Sequence, residues 1–224
     1  RVDRRQRQMC IRDRRRTVIF ALGLLASIVS VFAQVEFGVR LGGAYSSLVQ
    51  RLDKTYESGG RIGFSVAGLM QLPIYKGLSF VPEVGLIYQG GDYYSYPTDE
   101  GMTTHNMYKY YSLQVPLDLA YTFNISDVRL SVFAGPTLDV SLAGKMKTEE
   151  TGVESDIEFG KKEEPNLRTI DLGINVGLSV EYSRFFFSIN NVAGVLDRRT
   201  VKRKDESMLF QNNVTFSVGY FFRK

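Results

Sequence analysis

The strongest constraint on the fold is a strict period of two between apolar residues and small or polar residues. It is clearest from Arg168 to Tyr182. One face of this segment carries Ile170, Leu172, Ile174, Val176, Leu178, Val180 and Tyr182, and the other carries Thr169, Asp171, Gly173, Asn175, Gly177, Ser179 and Glu181. Strict alternation predicts a β-strand with one apolar face. The segment is longer than the strands of most soluble sheets and suits a tilted strand that crosses a membrane.

Seven further segments repeat this alternation, so the sequence predicts eight strands. The predicted strands are Val35–Tyr45, Arg61–Leu72, Leu78–Tyr88, Tyr108–Phe123, Val128–Leu142, Arg168–Tyr182, Phe185–Val195 and Asn213–Phe222. Phe185–Val195 is the least regular of them. Eight strands of this kind can close into a soluble, lipocalin-like barrel or into a membrane barrel, and the two types invert the pattern. A soluble barrel turns its large apolar residues inward, whereas a membrane barrel turns them toward lipid.

The small residues of the polar face decide between these two barrels. That face is rich in glycine, at Gly38, Gly42, Gly63, Gly85, Gly135, Gly173, Gly177 and Gly219. A face exposed to water has no steric need for glycine, but the narrow interior of an eight-stranded barrel does. We therefore predict an all-β fold, an eight-stranded antiparallel up-and-down transmembrane β-barrel of the OmpA/OmpX-like type.

The connections between the predicted strands alternate in length. Short turns are expected at Pro73–Gly77, Asn124–Asp127 and Ser183–Arg184, and long polar loops at Ser46–Gly60, Gly90–Met107, Ala143–Leu167 and Leu196–Gln211. Short turns on the periplasmic side and longer outer loops are typical of outer-membrane barrels, and an even strand number places both termini in the periplasm. Aromatic residues predict two interfacial girdles. These are Tyr121, Phe123, Tyr182, Phe185, Tyr220 and Phe222 at the short turns, and Tyr88, Tyr93, Tyr94, Tyr96, Tyr108, Tyr110 and Tyr111 at the other end.

The first 33 residues are expected to be absent from the mature protein. Residues 1–13 resemble a translated sequencing adapter, and we interpret them as an assembly scar. Residues 14–33 are predicted to be a signal peptide, with three arginines before an apolar run that ends at Val31-Phe32-Ala33. The alternative is a membrane anchor, but the run is shorter than a spanning helix needs. Residues 34–224 then form the barrel domain, and no Cys follows the cleavage site to carry a lipid.

Removing this segment changes the charge argument. The whole chain carries a net charge of +4, but eight Arg and two Asp lie in residues 1–33. The remainder has 20 basic and 22 acidic residues, so basicity is no evidence for a nucleic-acid partner. The single cysteine, Cys10, also lies in the removed part. The mature chain therefore has no disulfide, thiol nucleophile or thiolate metal site.

Several motifs resemble those of the PorT-like outer-membrane β-barrel proteins of Bacteroidetes. They are the stretch Phe80–Gly91 with Pro82-Glu83, the segment Tyr111–Leu117 with Pro116, the tripeptide Ala134–Pro136, and the closing Val218–Phe222. The resemblance covers essentially the whole mature chain and implies the fold and the outer membrane. It implies little about activity, because its motifs are strand and turn patterns.

The predicted lumenal face carries charges of both signs. Glu36, Glu83, Asp118, Asp139, Asp171 and Glu181 stand against Arg40, Arg61 and Arg129. A proton or ion path is one interpretation. Since an eight-stranded interior is only wide enough for side chains to fill, we favour a polar core in which these charges pair.

Chemistry outside the lumen has few candidates. The sole histidine, His105, lies in a predicted polar loop beside Thr103, Thr104 and Asn106, where a solvated residue is a more ordinary explanation than a catalytic triad. Lys145–Glu164 contains seven acidic and four basic residues without a recognisable calcium-loop pattern. A basic run in the last loop, Arg198, Arg199, Lys202, Arg203 and Lys204, suits either lipopolysaccharide phosphates or plain solubility. We assign no catalytic, cofactor-binding or metal-binding residue and expect no cofactor.

The sequence thus predicts a non-enzymatic barrel of a Gram-negative outer membrane, with a structural or interaction role and displayed loops. Assistance to protein secretion or surface assembly is one role expected for it. The expected partners are outer-membrane lipid and lipopolysaccharide and envelope or secretion proteins, and the barrel is expected to be a monomer. The alternative is a small outer-membrane enzyme, a hydrolase or acyltransferase acting on lipid or peptide.

Overall fold

A computed structural model of the chain describes residues 35–52, 55–95, 104–162, 166–201 and 208–223. These residues contain nine strands. They are β1 (Glu36–Leu52), β2 (Thr55–Tyr75), β3 (Leu78–Ser95), β4 (Thr104–Ile125), β5 (Val128–Thr148), β6 (Glu154–Asp156), β7 (Ile170–Tyr182), β8 (Phe185–Gly194) and β9 (Met208–Phe221). The predicted scar at 1–13 and the predicted signal peptide at 14–33 lie outside the described residues.

Eight of the nine strands form a closed antiparallel ring. Each long strand pairs with the next long strand along the chain, so that β5 pairs with β7. The last strand, β9, pairs with β1 and closes the ring, from Gly38 opposite Phe221 to Arg51 opposite Met208. The ninth strand, β6, pairs only with the end of β5 within the described part. The predicted up-and-down barrel is confirmed with eight strands in its wall. The prediction missed β6 because its three exposed residues show no alternation.

The strands are longer than predicted on one side of the ring. β1 and β2 together absorb most of the predicted loop Ser46–Gly60, and β3 and β4 absorb much of Gly90–Met107. The expectation of loops at these positions is therefore wrong. The alternation of apolar and polar residues weakens in these extensions, because neither face of the strands lies against lipid there. The backbones nevertheless continue to pair.

The short connections lie where the sequence predicts them. Two-residue turns join the strands at Lys76–Gly77, Ser126–Asp127 and Ser183–Arg184. Lys76, Ser126 and Ser183 adopt positive φ angles of 34°, 55° and 59°, and Gly77 has φ 89°. Positive φ angles are typical of the tight hairpin turns whose twist matches that of the flanking strands. We call this side of the barrel the turn end and the opposite side the loop end.

The apolar face of the sheet points outward, as predicted. Along β7, exposed and buried residues alternate, so that Val176 is 55% exposed whereas its neighbour Asn175 is 1% exposed. The same inversion holds for the other strands of the wall, whose large exposed side chains are mostly apolar and whose buried side chains are mostly polar. A soluble barrel would show the reverse pattern, so the wall has the surface of a membrane barrel.

The glycines of the inner face confirm the steric argument. At each of the eight predicted inward glycines, a Cβ atom would lie 3.0 Å or less from an atom of a neighbouring strand or side chain. Two outward glycines, Gly43 and Gly68, would meet nothing within 4 Å. The inner face therefore requires small residues where strands and lumenal side chains approach closely.

The aromatic girdles are confirmed in part. Large exposed rings surround the turn end, among them Tyr75, Phe123, Tyr182 and Phe222. Tyr88 and Tyr111 form an outward cluster toward the loop end. Tyr108 and Tyr110, which we expected in that girdle, are instead buried inside the barrel. Both side chains point inward from β4, whereas the side chain of the adjacent Tyr111 points outward. Tyr94 and Tyr96 are outside the residues whose side chains are described.

Within the described ranges, no helix is both long and apolar enough to cross a membrane.

The lipid-facing surface can be tested with two valines of similar exposure. Val176 lies in the middle of β7, whereas Val153 lies in the β5–β6 turn and is 61% exposed. We expect Val176→Arg to destabilise the barrel by about 2–4 kcal/mol, the penalty for a cation near the bilayer midplane. Val153→Arg should change stability by less than about 0.5 kcal/mol. Urea unfolding in phospholipid vesicles measures both, and two equally small effects would exclude a lipid-facing β7.

Candidate functional site: the lumen and the loop-end cap

A chain of hydrogen bonds crosses the middle of the lumen. The Arg40 guanidinium lies 2.6 Å from a Glu83 carboxylate oxygen and donates a hydrogen bond of 3.0 Å to Asn190. Asn190 donates to Asn175 over 2.9 Å, and Asn175 donates to Asp118 over 2.7 Å. These five buried residues come from five different strands. They join opposite sides of the wall through side chains.

A second polar layer lies toward the loop end. Gln89 donates to Asp139 over 3.2 Å and accepts a hydrogen bond of 2.6 Å from Asn213. Gln211 donates to Asn213 over 3.0 Å and accepts a hydrogen bond of 2.5 Å from the hydroxyl group of Tyr110. All five side chains are buried. This layer links β3, β4, β5 and β9 above the central network.

The turn end of the lumen is bounded by an apolar floor and an ion-pair cluster. Leu69, Phe186 and Phe221 form a buried apolar cluster. Beside it, Arg223 donates two hydrogen bonds to Glu181, at 2.5 and 2.9 Å, and lies 2.8 Å from Glu36. Arg129 lies 3.3 Å from the same Glu181. Since Glu36 begins β1 and Arg223 follows β9, this cluster fastens the seam of the ring.

The lumenal charges are therefore arranged as a polar core, with little space between them. A cavity of about 60 Å³ lies among Arg40, Glu83, Asp118 and the apolar floor. This volume accommodates a few water molecules. Of the predicted cations, Arg40 and Arg129 pair as expected, whereas Arg61 pairs with Asp92, which the sequence did not indicate. The sequence analysis also missed the floor residues Leu69, Phe186 and Phe221. Each is a single large side chain on an inner face that otherwise carries small or polar residues.

The loop end carries a small hydrophobic core, which we call the cap. Its buried residues are Leu48, Tyr108, Tyr110, Met146, Ile157, Leu167 and Leu209, with Tyr93 and Phe159 packed against them. Leu48, Tyr108, Tyr110, Met146 and Leu209 come from extended strands. Ile157, Phe159 and Leu167 come from the connection between β5 and β7, which folds back over the barrel opening. The cap holds this loop in place through apolar contact.

Arg198 connects the cap to the lumen. It is 1% exposed, its guanidinium lies 5.6 Å from the centre of the Tyr110 ring, and it donates a hydrogen bond of 2.8 Å to the Ser141 hydroxyl group. Two of its nitrogens, Nε and Nη1, lack a hydrogen-bond partner in the described structure. Burial lowers the pKa of Arg198, but interactions with Tyr110, Asp171 and Asp139 outweigh it, so the net shift is upward.

Asp197 holds the start of the last loop. Its carboxylate lies 3.0 Å from the Arg199 guanidinium and accepts backbone hydrogen bonds from Arg199 and Leu209, each 3.2 Å long. Burial raises the pKa of Asp197, but these hydrogen bonds and the Arg199 charge outweigh it, so the net shift is downward. The carboxylate thereby ties the chain after β8 to the beginning of β9.

The structure corrects the expectation for the basic run of the last loop. Arg198 is buried in the cap and Arg199 is 7% exposed, so neither presents its charge to an external phosphate. Lys202, Arg203 and Lys204 lie outside the described residues. Nothing in the run itself marks Arg198 and Arg199 as buried, because their burial depends on contacts with Tyr110, Ser141 and Leu167, which lie far away in the sequence.

The acidic loop does not converge on one point. Within the described residues, no three His, Cys, Asp or Glu side chains are placed to hold a metal ion. Glu158 pairs with Lys161, and Glu154 and Asp156 lie on the exposed strand β6. Glu163 and Glu164 lie outside the described part of the chain.

His105 lies between acidic side chains at the loop end. Its Nδ1 contacts the Glu149 carboxylate, its Nε2 lies 3.7 Å from Asp92, and its backbone N–H donates to Glu150 over 2.8 Å. That backbone hydrogen bond lowers the pKa of Glu150. The sequence placed His105 in a polar loop, but it lies in β4 and its partners come from β3 and the β5–β6 turn.

The barrel wall, its outward apolar band and its filled lumen agree with the family comparison. Residues 32–198 match the model of the outer membrane protein beta-barrel domain. The chain belongs to this outer-membrane β-barrel family. Its location in the outer membrane follows from that membership. The comparison with curated proteins finds no match for the barrel.

Solved structures of other outer-membrane proteins are similar to this barrel. Ail, the attachment invasion locus protein of Yersinia pestis, is 14% identical over 84% of this chain and 99% of that chain, with a TM-score of 0.42. Neisserial surface protein A is 15% identical over 82% and 96%, with a TM-score of 0.40. The outer membrane enzyme PagL is 11% identical over 79% and 98%, with a TM-score of 0.39.

The central network of the barrel predicts a large effect when one charge is removed. Arg40→Ala leaves Glu83 and Asn190 without their donor in a buried site, so we expect a loss of about 3–5 kcal/mol in unfolding free energy. Lys161→Ala removes an exposed ion pair and should cost less than about 1 kcal/mol. Urea unfolding in lipid vesicles measures both. The double variant Arg40→Met with Glu83→Met should recover most of the loss, and failure to recover would contradict the pairing argument.

The lowered pKa of Asp197 predicts acid sensitivity of the cap. Because the folded-state pKa lies below the ordinary value of 3.8, the carboxylate stabilises the loop above that pH. This stabilisation is lost as the pH falls through the folded-state pKa. Hydrogen exchange at the Leu209 amide, corrected for its intrinsic pH dependence, should accelerate below this range. Asp197→Asn should exchange faster at neutral pH and lose the acid transition, and an unchanged transition in that variant would assign it to another group.

Proposed function

We propose that this barrel is a non-enzymatic outer-membrane protein with a structural or interaction role, and that the loop end is its functional surface. The observation that most supports this proposal is the contrast between the two parts of the molecule. The lumen is occupied by bridging side chains, whereas the loop end is built out beyond the ring and held by a core of its own.

Transport through the barrel fits the structure poorly. A conducting path would have to pass the Arg40–Glu83 pair, the Asn190–Asn175–Asp118 chain and the apolar floor. Removing or displacing these groups leaves buried charges and amides without partners, which is energetically unfavourable. The proposal therefore gives the lumen a structural role.

The cap supports an interaction role because it orders the loops that it carries. The β5–β6 hairpin is anchored through Ile157 and Phe159, while the turn before β6 and β6 itself remain exposed. An ordered loop loses less conformational entropy on binding than a flexible one, so a partner can bind it more tightly. Outer-membrane lipid, lipopolysaccharide and envelope or secretion proteins are the proposed partners.

The orientation and cellular role complete the proposal. Export by a cleaved signal peptide and the two-residue turns together support periplasmic termini and a loop end at the cell surface. The motifs around Pro82-Glu83 and Pro116 support kinship with PorT-like proteins of Bacteroidetes. On that basis we propose a contribution to protein secretion or surface assembly.

A second candidate function is a small outer-membrane enzyme, and His105 is the observation that favours it. Carboxylates at both ring nitrogens suit a histidine that is to be oriented as a general base. A triad would place a carboxylate on one nitrogen only and a hydroxyl nucleophile on the other. Here Asp92 occupies the side where that nucleophile would stand, so we prefer the non-enzymatic role.

The two candidates can be separated by complementation of a deletion strain. We expect the deletion to change the set of secreted or surface-exposed proteins and wild-type protein to restore it. Ile157→Ser with Phe159→Ser, which detaches the hairpin from the cap, should fail to restore it, whereas the exposed control Val153→Ser should succeed. His105→Ala should also succeed. Quantitative proteomics of the culture medium and of shaved cells measures the effect.

A gel-mobility shift on heating confirms that each variant has a folded barrel. Restoration by the cap variant would overturn the interaction role of the loop end. Failure of His105→Ala, together with altered lipid A or peptide products in mass spectra, would establish the enzyme instead.

A further inference from the structure

Two asparagines interrupt the lipid-facing surface of β8 and β9. The other outward positions of these strands carry apolar or aromatic side chains, including Phe187 and Ile189 on β8 and Phe216 and Val218 on β9. Asn191 and Asn212 occupy outward positions between further apolar residues, since Val195 and Met208 lie exposed beyond them. An amide that faces acyl chains is energetically unfavourable, and polar groups in such places usually have a function.

The depth of the two residues places them inside the apolar band. Asn191 follows Phe185, at the turn end, by six positions on β8. With about 3.3 Å per residue and a strand tilt of about 40°, this corresponds to roughly 15 Å within a band about 25 Å tall. Asn212 pairs with Ala193 across β8 and β9 and with Ser47 across β1, and it lies about 5 Å higher by the same geometry.

The two side chains satisfy each other only in part. The Asn191 amide nitrogen donates to the Asn212 amide oxygen over 2.9 Å and to the backbone oxygen of Asn213 over 3.3 Å. Within the described structure, the Asn191 amide oxygen and the Asn212 amide nitrogen make no hydrogen bond. The pair therefore leaves an acceptor on Asn191 and a donor on Asn212 available to a partner outside this molecule.

This arrangement is self-complementary. A twofold axis brings the same surface of two molecules together, so each donor must find an acceptor on an identical patch. The donor of Asn212 and the acceptor of Asn191 meet this condition, whereas an acyl chain offers neither group. We propose that a second copy of this chain packs against β8 and β9, and that paired amides from Asn191 and Asn212 form the centre of the dimer interface.

The surrounding surface has the relief that close packing requires. Ala193 is small and exposed beside the pair, which lets two sheets approach. Asn191 also borders an open apolar region of the outer surface, whose lining includes Val132 of β5, Val176 of β7 and Ile189 of β8. The proposed dimer differs from the sequence-based expectation of a monomer, which took no account of where Asn191 and Asn212 lie on the wall, and the cross-linking experiment decides between the two.

Site-directed cross-linking in native membranes tests the interface. In a full-length Cys10→Ser background, Ala193→Cys reports on the proposed interface. Leu86→Cys, on the opposite side of the ring in β3, is a matched lipid-facing control at 45% exposure. We expect copper-phenanthroline to cross-link Ala193→Cys to a product of twice the mass at least about tenfold faster than Leu86→Cys.

Variants of the two amides then test their contribution. Asn191→Leu with Asn212→Leu suits the apolar band and should fold, but it should reduce cross-linking through Ala193→Cys to the rate of the control. Asn191→Gln with Asn212→Gln retains the amides and should keep most of the wild-type rate. The heat-dependent gel shift confirms a folded barrel in every variant.

Four outcomes would overturn the proposal. They are equal rates at the two cysteines, a cross-link to a different protein, an unchanged rate in the leucine variant, and a purified protein that is monomeric in lipid nanodiscs at every protein-to-lipid ratio. A different cross-linked protein would identify this surface as a site for a second kind of envelope protein.

Discussion

The whole molecule depends on the pairing of β9 with β1. In a bilayer, backbone N–H and C=O groups have no water to bind, so a sheet is stable there only when it has no free edge. Residues from Gly38 to Arg51 supply the first strand of this seam, and residues from Met208 to Phe221 supply the last. The Arg223–Glu181–Glu36 contacts lie at its turn end. The first and last strands of the ring are thus joined by both backbone pairing and charge.

Closure with eight strands determines what the interior can contain. The ring is narrow, so glycines stand where strands and side chains approach, and the longer inward side chains must meet in the middle. Arg40 reaches Glu83 and Asn190 from β1, and Asn175 reaches Asp118 from β7. Buried charges of this kind are expensive to remove from water, but Arg40, Glu83 and Asp118 find partners on other strands of the ring. The polar core therefore follows from the strand number.

The sequence predicted the parts of the fold that depend on local alternation. It placed the wall strands, the three short turns and the outward apolar face, because a strand in lipid must repeat every second residue. It could not predict Tyr108, Tyr110 or Arg198, which lie where the wall continues past the bilayer and the inner face meets a folded loop. Alternation shows that Tyr108 and Tyr111 lie on opposite faces of β4. It does not show which of these faces contacts lipid and which contacts the cap. Arg40 and Glu83 were identifiable as lumenal, whereas the hydrogen bond from Arg40 to Asn190 depends on the order of the strands in the ring.

The difference between the barrel wall and the loops at its loop end also explains where the sequence can change. A substitution in the wall disturbs either the lipid-facing band or the lumenal network, and both involve neighbours on several strands. Within the described residues, β6 pairs with β5 alone, and the segment after it is attached to the cap by Ile157 and Phe159. Its exposed positions can therefore change without loosening the seam. A barrel built this way can present a new surface while its membrane anchor stays the same, which is the property that an interaction protein of the outer membrane requires.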